Sequence, residues 1–163
     1  MSKDAVKSPF IDPEQEQALR AWTSRYPHPI MGILGALRQV QEWNRCIRAE
    51  DEALIADIFE TSATHVHELV TFFPFFTQRP AGRCRIGLCR GLSCSMAGSD
   101  KVAAYLEKKL GVKARQTTVD GNFSWEEMEC LGACDHAPAL LVNEELKGKA
   151  TEQSLDKIVD EFK

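Results

Sequence analysis

The apolar positions of this chain follow two different rhythms. From Pro13 onward they recur every three or four residues, the spacing of one helix face. Asp12 ahead of Pro13 predicts an N-cap with proline at the first helical position. Ala18, Leu19 and Trp22 predict a first helix over 14–26, broken by Pro27 and Pro29. Ile30, Ile33, Leu34, Leu37 and Val40 form one stripe of a second helix over 30–43. Leu54, Ile55, Ile58 and Phe59 predict a third over 49–59, and Val66, Leu69, Val70 and Phe73 a fourth over 64–72, with Thr61 or Ser62 as stop or cap.

The rhythm changes after Arg79-Pro80-Ala81-Gly82, a boundary by composition. Cys84, Ile86 and Leu88 alternate with Arg85 and Gly87, the two-residue period of a strand. Val102, Leu106 and Leu110 predict a helix over 99–110, ended by Gly111. Thr117, Val119, Phe123 and Trp125 predict extended chain about a turn at Asp120-Gly121. Residues 139–142 and 146–150 predict two more strands, and Thr151 opens a last helix carrying Leu155, Ile158, Val159 and Phe162. The outline is β-α-β-β-β-α. The fold class is therefore α+β: a disordered start over 1–12, a helical bundle over 13–78, and an α/β domain over 79–163.

Composition narrows the class without changing that picture. Of 163 residues, 44% are apolar and 27% charged, ordinary for a folded protein. A net charge of −4 gives no reason to invoke nucleic acid, and Lys108-Lys109 reads as a solvated helix face. No apolar run reaches the roughly 18 residues of a membrane span, and the start lacks the apolar core of a secretory signal. The expected location is cytoplasmic, including the cytoplasmic face of a membrane complex, with no direct membrane insertion. Thiols stay reduced there, so six cysteines point to metal or catalysis rather than to disulfides.

Five of the six cysteines lie between Cys84 and Cys134, in two short loops. Cys89 and Cys94 enclose Arg90-Gly91-Leu92-Ser93, and Cys130 and Cys134 enclose Leu131-Gly132-Ala133. Each pair follows an expected strand. Four thiolates suit zinc or an iron–sulfur centre, and both gaps fall within the range of zinc sites. Two wide loops on separate strands favour a [2Fe–2S] cluster, each iron taking one pair. A redox disulfide is weaker, since Cys-x-x-Cys is absent. Cys84 and Cys89 repeat the four-residue gap, so Cys84 is a rival ligand, although its place among Ile86 and Leu88 reads as packing. Cys46 also reads as packing. His136 stands two residues past Cys134, where histidine could replace a thiolate, but a surface or supporting role suits it better. His65 and His67 fall on different sides of their helix, and Glu126, Glu127 and Glu129 read as solvated.

At these residues the chain resembles the thioredoxin-like [2Fe–2S] subunit of respiratory complex I, the E-type subunit of NADH-quinone oxidoreductase. The equivalent small subunits of NAD-dependent formate dehydrogenases and hydrogenases belong to the same family. The resemblance rests on Cys89-x4-Cys94, on Cys130-Leu131-Gly132-Ala133-Cys134 with Ala137-Pro138, and on Thr117-Thr118-Val119-Asp120-Gly121-x-Phe123. Residues 66–73, Val-His-Glu-Leu-Val-Thr-Phe-Phe, are similar to its N-terminal motif, with Phe73 in a tyrosine place. Arg45-Cys46 departs from the glycine and aromatic common in the family after the second helix.

The resemblance implies a thioredoxin-like C-terminal domain holding one [2Fe–2S] cluster on Cys89, Cys94, Cys130 and Cys134. It also implies a hetero-oligomer in which an FMN/NADH-binding subunit is the partner. The role implied is a one-electron relay within an NADH:quinone oxidoreductase, with no catalytic site in this chain. A formate dehydrogenase or hydrogenase subunit, a stand-alone ferredoxin and a zinc-stabilised interaction module are the alternatives. The aromatic run over 72–76 predicts a contact with a partner chain through Phe75 and Phe76.

Overall fold

The computed structural model describes residues 10–162; residues 1–9 of the expected disordered start lie outside the described residues. The described chain forms two compact units that divide between Pro80 and Ala81.

The first unit is helical. α1 spans Pro13–Trp22, α2 Ile33–Asn44, α3 Ala49–Ile58 and α4 Ala63–Phe72. Asp12 caps α1 in both directions: its carboxylate accepts from the Gln15 amide at 2.8 Å and its own amide donates to the Gln15 side chain at 3.1 Å. Ser62 caps α4 by accepting from the His65 amide at 3.1 Å. Leu19, Leu37, Val40, Leu54, Ile55, Val66 and Val70 meet in one buried core.

The stripe expected for α2 is partly corrected. Pro29–Gly32 forms a 3-10 turn ahead of the helix, and its tighter winding shifts the phase. Ile33, Ala36, Leu37 and Val40 face the core, while Ile30 and Leu34 lie exposed. α1 stops at Trp22 rather than running to Tyr26. Arg45 closes α2 with φ 57°, the left-handed conformation in which glycine is favoured, so this departure from the family pattern carries local strain.

A carboxyl–imidazole pair lies inside this unit. Glu52 in α3 is buried, and its Oε2 meets His67 Nδ1 from α4 at 3.0 Å. Its Oε1 is buried without a hydrogen-bond partner among the described residues. Losing the imidazole strands the carboxylate. His67→Ala is expected to lower stability in urea unfolding by about 1–2 kcal/mol, discounted because the imidazole is half exposed. Adding Glu52→Gln should recover part of the loss.

The second unit is a mixed sheet with helices packed on it. β1 spans Cys84–Cys89, α5 Leu92–Met96, α6 Ser99–Leu110, β2 Gln116–Thr117 and β3 Phe123–Met128. β4 spans Leu140–Val142, β5 Glu145–Lys147 and α7 Glu152–Glu161. The strand order is β2-β3-β1-β4-β5. β1 and β3 run parallel, from Cys84 opposite Phe123 to Cys89 opposite Met128, and the other pairings are antiparallel. Ile86, Leu88, Phe123, Trp125, Leu140 and Val142 form the buried face, against Val102, Leu106, Leu155, Ile158 and Val159. The Trp125 indole N–H is satisfied by the Val112 carbonyl at 2.8 Å.

The stretch expected to be extended about Asp120-Gly121 is a hairpin. Gly121 takes φ 70°, and Asp120 Oδ1 accepts from the Thr118 hydroxyl and from the Asn122 amide at 3.0 Å. Those bonds, the Thr118 hydroxyl first, hold the Asp120 carboxyl below its ordinary range. α5 falls where the sequence predicts loop. Among the described residues, no helix is long and apolar enough to cross a membrane.

Candidate metal centre

Parallel pairing of β1 and β3 brings the C-terminal ends of both strands to one edge of the sheet. Cys89 is the last residue of β1, and Cys130 stands two residues beyond Met128, the end of β3. β4 runs antiparallel to β1, so its start lies at the same edge: the Cys89 amide donates to Ala139 at 3.0 Å. The Arg90 amide donates to Met128 at 2.9 Å, tying the first loop to the end of β3. The loop from Cys130 to Cys134 therefore starts beside Cys89, and Cys134 neighbours Cys94. A short 3-10 turn over Cys134–His136 and a cis Ala137–Pro138 bond lead back into β4.

The four thiols differ in setting. Cys89 and Cys94 are buried, at 3% and 2% exposure, whereas Cys130 and Cys134 are exposed. Burial pushes the Cys89 thiol up, but hydrogen bonds from the Gly91 and Leu131 amides and the Cys94 and Cys130 thiols outweigh it. The net effect holds Cys89 below the ordinary thiol value, nearer the thiolate a metal requires. Cys94 is raised, by burial first and then by its neighbours Cys89 and Cys134. The Gly132 amide donates to Cys130 Sγ at 3.4 Å. Amides from both loops thus point at sulfur, as bound thiolates need.

Gly91 packs between the two loops: a Cβ there would stand 3.3 Å from the Glu129 carbonyl oxygen and in ordinary contact with Cys89 Sγ, at 3.5 Å, and the Cys130 Cβ, at 3.9 Å. Among the described residues, no three His, Cys, Asp or Glu gather about a single point. The sulfurs are linked pair to pair through Cys89 instead. Two pairs of thiols with amide donors fit a [2Fe–2S] cluster, in which each iron takes two thiolates.

Cys84 stands apart. It is buried at the far end of β1, and a strand rise of about 3.3 Å per residue puts its Cα roughly 16 Å from that of Cys89. Strand alternation turns the two side chains to opposite faces. Burial pushes the Cys84 thiol up to about 11, with the Glu161 charge adding to it, the behaviour of a packing residue. Cys46 is buried in the helical unit, its thiol likewise raised by burial.

Of the neighbouring carboxylates, Glu127 and Glu129 are exposed, as expected, and Glu126 is half-buried. Glu126 is held by Arg85, whose Nε donates at 2.7 Å. Glu127 and Glu129 lie within 3.6 and 3.3 Å of Arg90, the residue after Cys89. His136 is exposed with Nδ1 on Asp135 at 2.8 Å, a bond that also lowers the Asp135 carboxyl. Sequence reasoning missed α5, and so missed that Cys94 sits on a helix capped by Gly91. The Thr117-to-Phe123 motif runs from the end of β2 through the turn to the first residue of β3, away from the cysteine edge.

Known proteins show the family to which the chain belongs. The chain is 32% identical to a second E-type subunit of the NADH-quinone oxidoreductase of Rhizobium meliloti (strain 1021), across 90% of this chain and 88% of that one. It is 30% identical to the E-type subunit of the same enzyme from Aquifex aeolicus (strain VF5), across 96% and 98%. It is 34% identical to NADH-quinone oxidoreductase subunit 2 of Thermus thermophilus, across 83% and 76%. An NAD+-reducing [NiFe]-hydrogenase shares the fold with a TM-score of 0.69 at 23% identity, over 80% of this chain but only 22% of that one. Residues 19–163 match the model of the thioredoxin-like [2Fe–2S] ferredoxin family, and the chain belongs to that family, whose cofactor is a single [2Fe–2S] cluster.

Proposed function

We propose that this chain is the electron-transfer subunit of an NADH:quinone oxidoreductase, held beside the subunit that binds FMN and NADH. The observation that carries this reading is the match to relatives named as E-type subunits of that enzyme, over nearly their whole length. Cys89, Cys94, Cys130 and Cys134 are the proposed ligands. The cluster supplies a one-electron step between a two-electron hydride donor and later carriers. The residues of the chain do the rest. The Gly91, Leu131 and Gly132 amides stabilise thiolate charge, and burial of Cys89 and Cys94 keeps water from one side. Hydride chemistry belongs to the partner, and this chain has no catalytic site of its own. A role in an NAD-linked hydrogenase or formate dehydrogenase is the second reading, for which the hydrogenase supplies a shared fold only.

The test is purification of the tagged chain from its own cells. A flavin-binding chain should copurify in equal amount, and NADH should then elicit the EPR signal of a reduced [2Fe–2S] cluster. A chain recovered alone, whose signal NADH and the flavin subunit cannot elicit, would instead be a stand-alone ferredoxin. The expected partner contact through Phe75 and Phe76 changes shape. Phe76 is buried in the core of its own unit, while Phe75, at 40% exposure, and Phe72, at 76%, reach solvent.

A further inference from the structure

Inside the two cysteine loops the sequence places a single charged residue. Cys89 and Cys94 enclose Arg90, Gly91, Leu92 and Ser93, and Cys130 and Cys134 enclose Leu131, Gly132 and Ala133. Arg90 directly follows Cys89, and its guanidinium reaches across to the other loop. Nε donates to Glu129 Oε2 at 3.3 Å, and Nη2 lies 3.3 Å from Oε1 of the same carboxylate. Two nitrogens thus meet two oxygens, the fork geometry that lysine cannot copy. Nη1 lies 3.6 Å from Glu127 Oε2. Because Glu129 directly precedes Cys130, the bond joins the neighbour of one cysteine to the neighbour of another.

Stability does not account for this arrangement. The main chain already ties the two segments, with the Arg90 amide donating to Met128 at 2.9 Å and the Glu129 carbonyl 3.9 Å from Cys89 Sγ. The Arg90 side chain is 55% exposed and that of Glu129 85%, and such pairs add little to folding. Their charge has another consequence. A [2Fe–2S] cluster that gains one electron has one ferric ion turned ferrous, with no bond made or broken. The site becomes one charge more negative. A fixed cation beside the ligands favours that state, and fixed carboxylates oppose it. Asp135, beyond Cys134, has its own partner in His136 at 2.8 Å. Arg90 is left to answer Glu127 and Glu129.

We propose that Arg90 is a positioning residue that sets the reduction potential of the cluster. It holds Glu127 and Glu129 in place and offsets their charge beside the proposed ligands Cys89 and Cys130. This inference rests on the proposed ligands and electron-transfer role, and names what tunes that same site.

The experiment is a redox titration of the cluster-loaded full chain with dithionite at neutral pH and low salt, followed by visible absorbance and EPR. Arg90→Gln should take up the electron at least about threefold less favourably, a fall of roughly 30 mV at about 59 mV per tenfold. Glu127→Gln/Glu129→Gln, with Arg90 intact, should rise by at least as much. Arg90→Lys returns the charge without the fork and should stay near wild type. High salt should shrink every shift, since the groups are exposed. A clasp that served structure alone would give another pattern: Arg90→Lys and Arg90→Gln would behave alike, and urea stability would move while the potential did not. An unchanged potential in cluster-loaded Arg90→Gln or in the double variant overturns the inference, as do equal shifts in Arg90→Lys and Arg90→Gln. Should Arg90→Gln lose its cluster, the double variant decides. A wild-type chain without a reducible cluster is a distinct result: it removes the proposed function and this inference with it, whereas a reducible cluster indifferent to these charges removes the inference alone.

Discussion

Cys94→Ala and Cys134→Ala proteins should emerge without the visible absorption and EPR signal of a [2Fe–2S] cluster, whereas Cys84→Ala should keep both. The contrast follows from position. Cys94 and Cys134 each supply half of a pair at one sheet edge, and a binuclear cluster missing one thiolate loses its hold on one iron. Cys84 lies at the opposite end of the same strand as Cys89, against Ile86 and Leu88. Its replacement removes a small packing group at a cost of about 1 kcal/mol and touches no other cysteine. Cys134 is the cleaner of the two ligand variants because it is exposed. Its circular dichroism should match wild type while iron and labile sulfide fall to background. A Cys84→Ala protein with no cluster, beside a Cys94→Ala protein with one, would reverse the ligand assignment.

Most of the architecture is legible in the sequence. Helix and strand periods, the Asp12 and Ser62 caps and the break after Arg79 all rest on short-range rules that act within a few residues. The cysteine pairing is half legible. Spacing leaves Cys84 as a rival and the resemblance singles out four thiols, but only the parallel pairing of β1 with β3 brings Cys89 near Cys130, and pairing is a long-range property. α5 escapes because five residues containing two serines carry no helical period; the fold, not propensity, winds them. Phe76 is misread for a related reason. Aromatic density draws attention to a loop but does not tell which ring turns inward, and the turn after α4 sends Phe72 out and Phe76 in. Glu52 and His67 lie 15 residues apart, and nothing in the sequence marks them as partners.

Gly82→Ala should be among the most costly single-methyl changes in the second unit, at about 3 kcal/mol. The sequence presents Gly82 as linker, next to Pro80 and Ala81. In the fold it runs against β3: its amide donates to Ser124 Oγ at 3.0 Å, and a Cβ would stand 2.4 Å from the Phe123 carbonyl carbon and 2.5 Å from the Ser124 amide nitrogen. Those atoms are backbone and cannot rotate away. The start of β1 must then lift from β3, loosening the pairing that begins at Cys84 opposite Phe123 and ends at the proposed ligand Cys89. Two other glycines provide the scale. At Gly87 the clash is with the Met128 sulfur, part of a flexible side chain that can move, so Gly87→Ala should cost less. At Gly121 a Cβ meets nothing within 4 Å, and alanine there carries only the strain of a positive φ, about 1 kcal/mol. Urea unfolding of the three variants should therefore rank Gly82→Ala well below the others, and its cluster should be released at lower urea than in wild type. Equal stability across the three would mean that β1 has slack at its start, and that the cysteine edge does not depend on the pairing from that end.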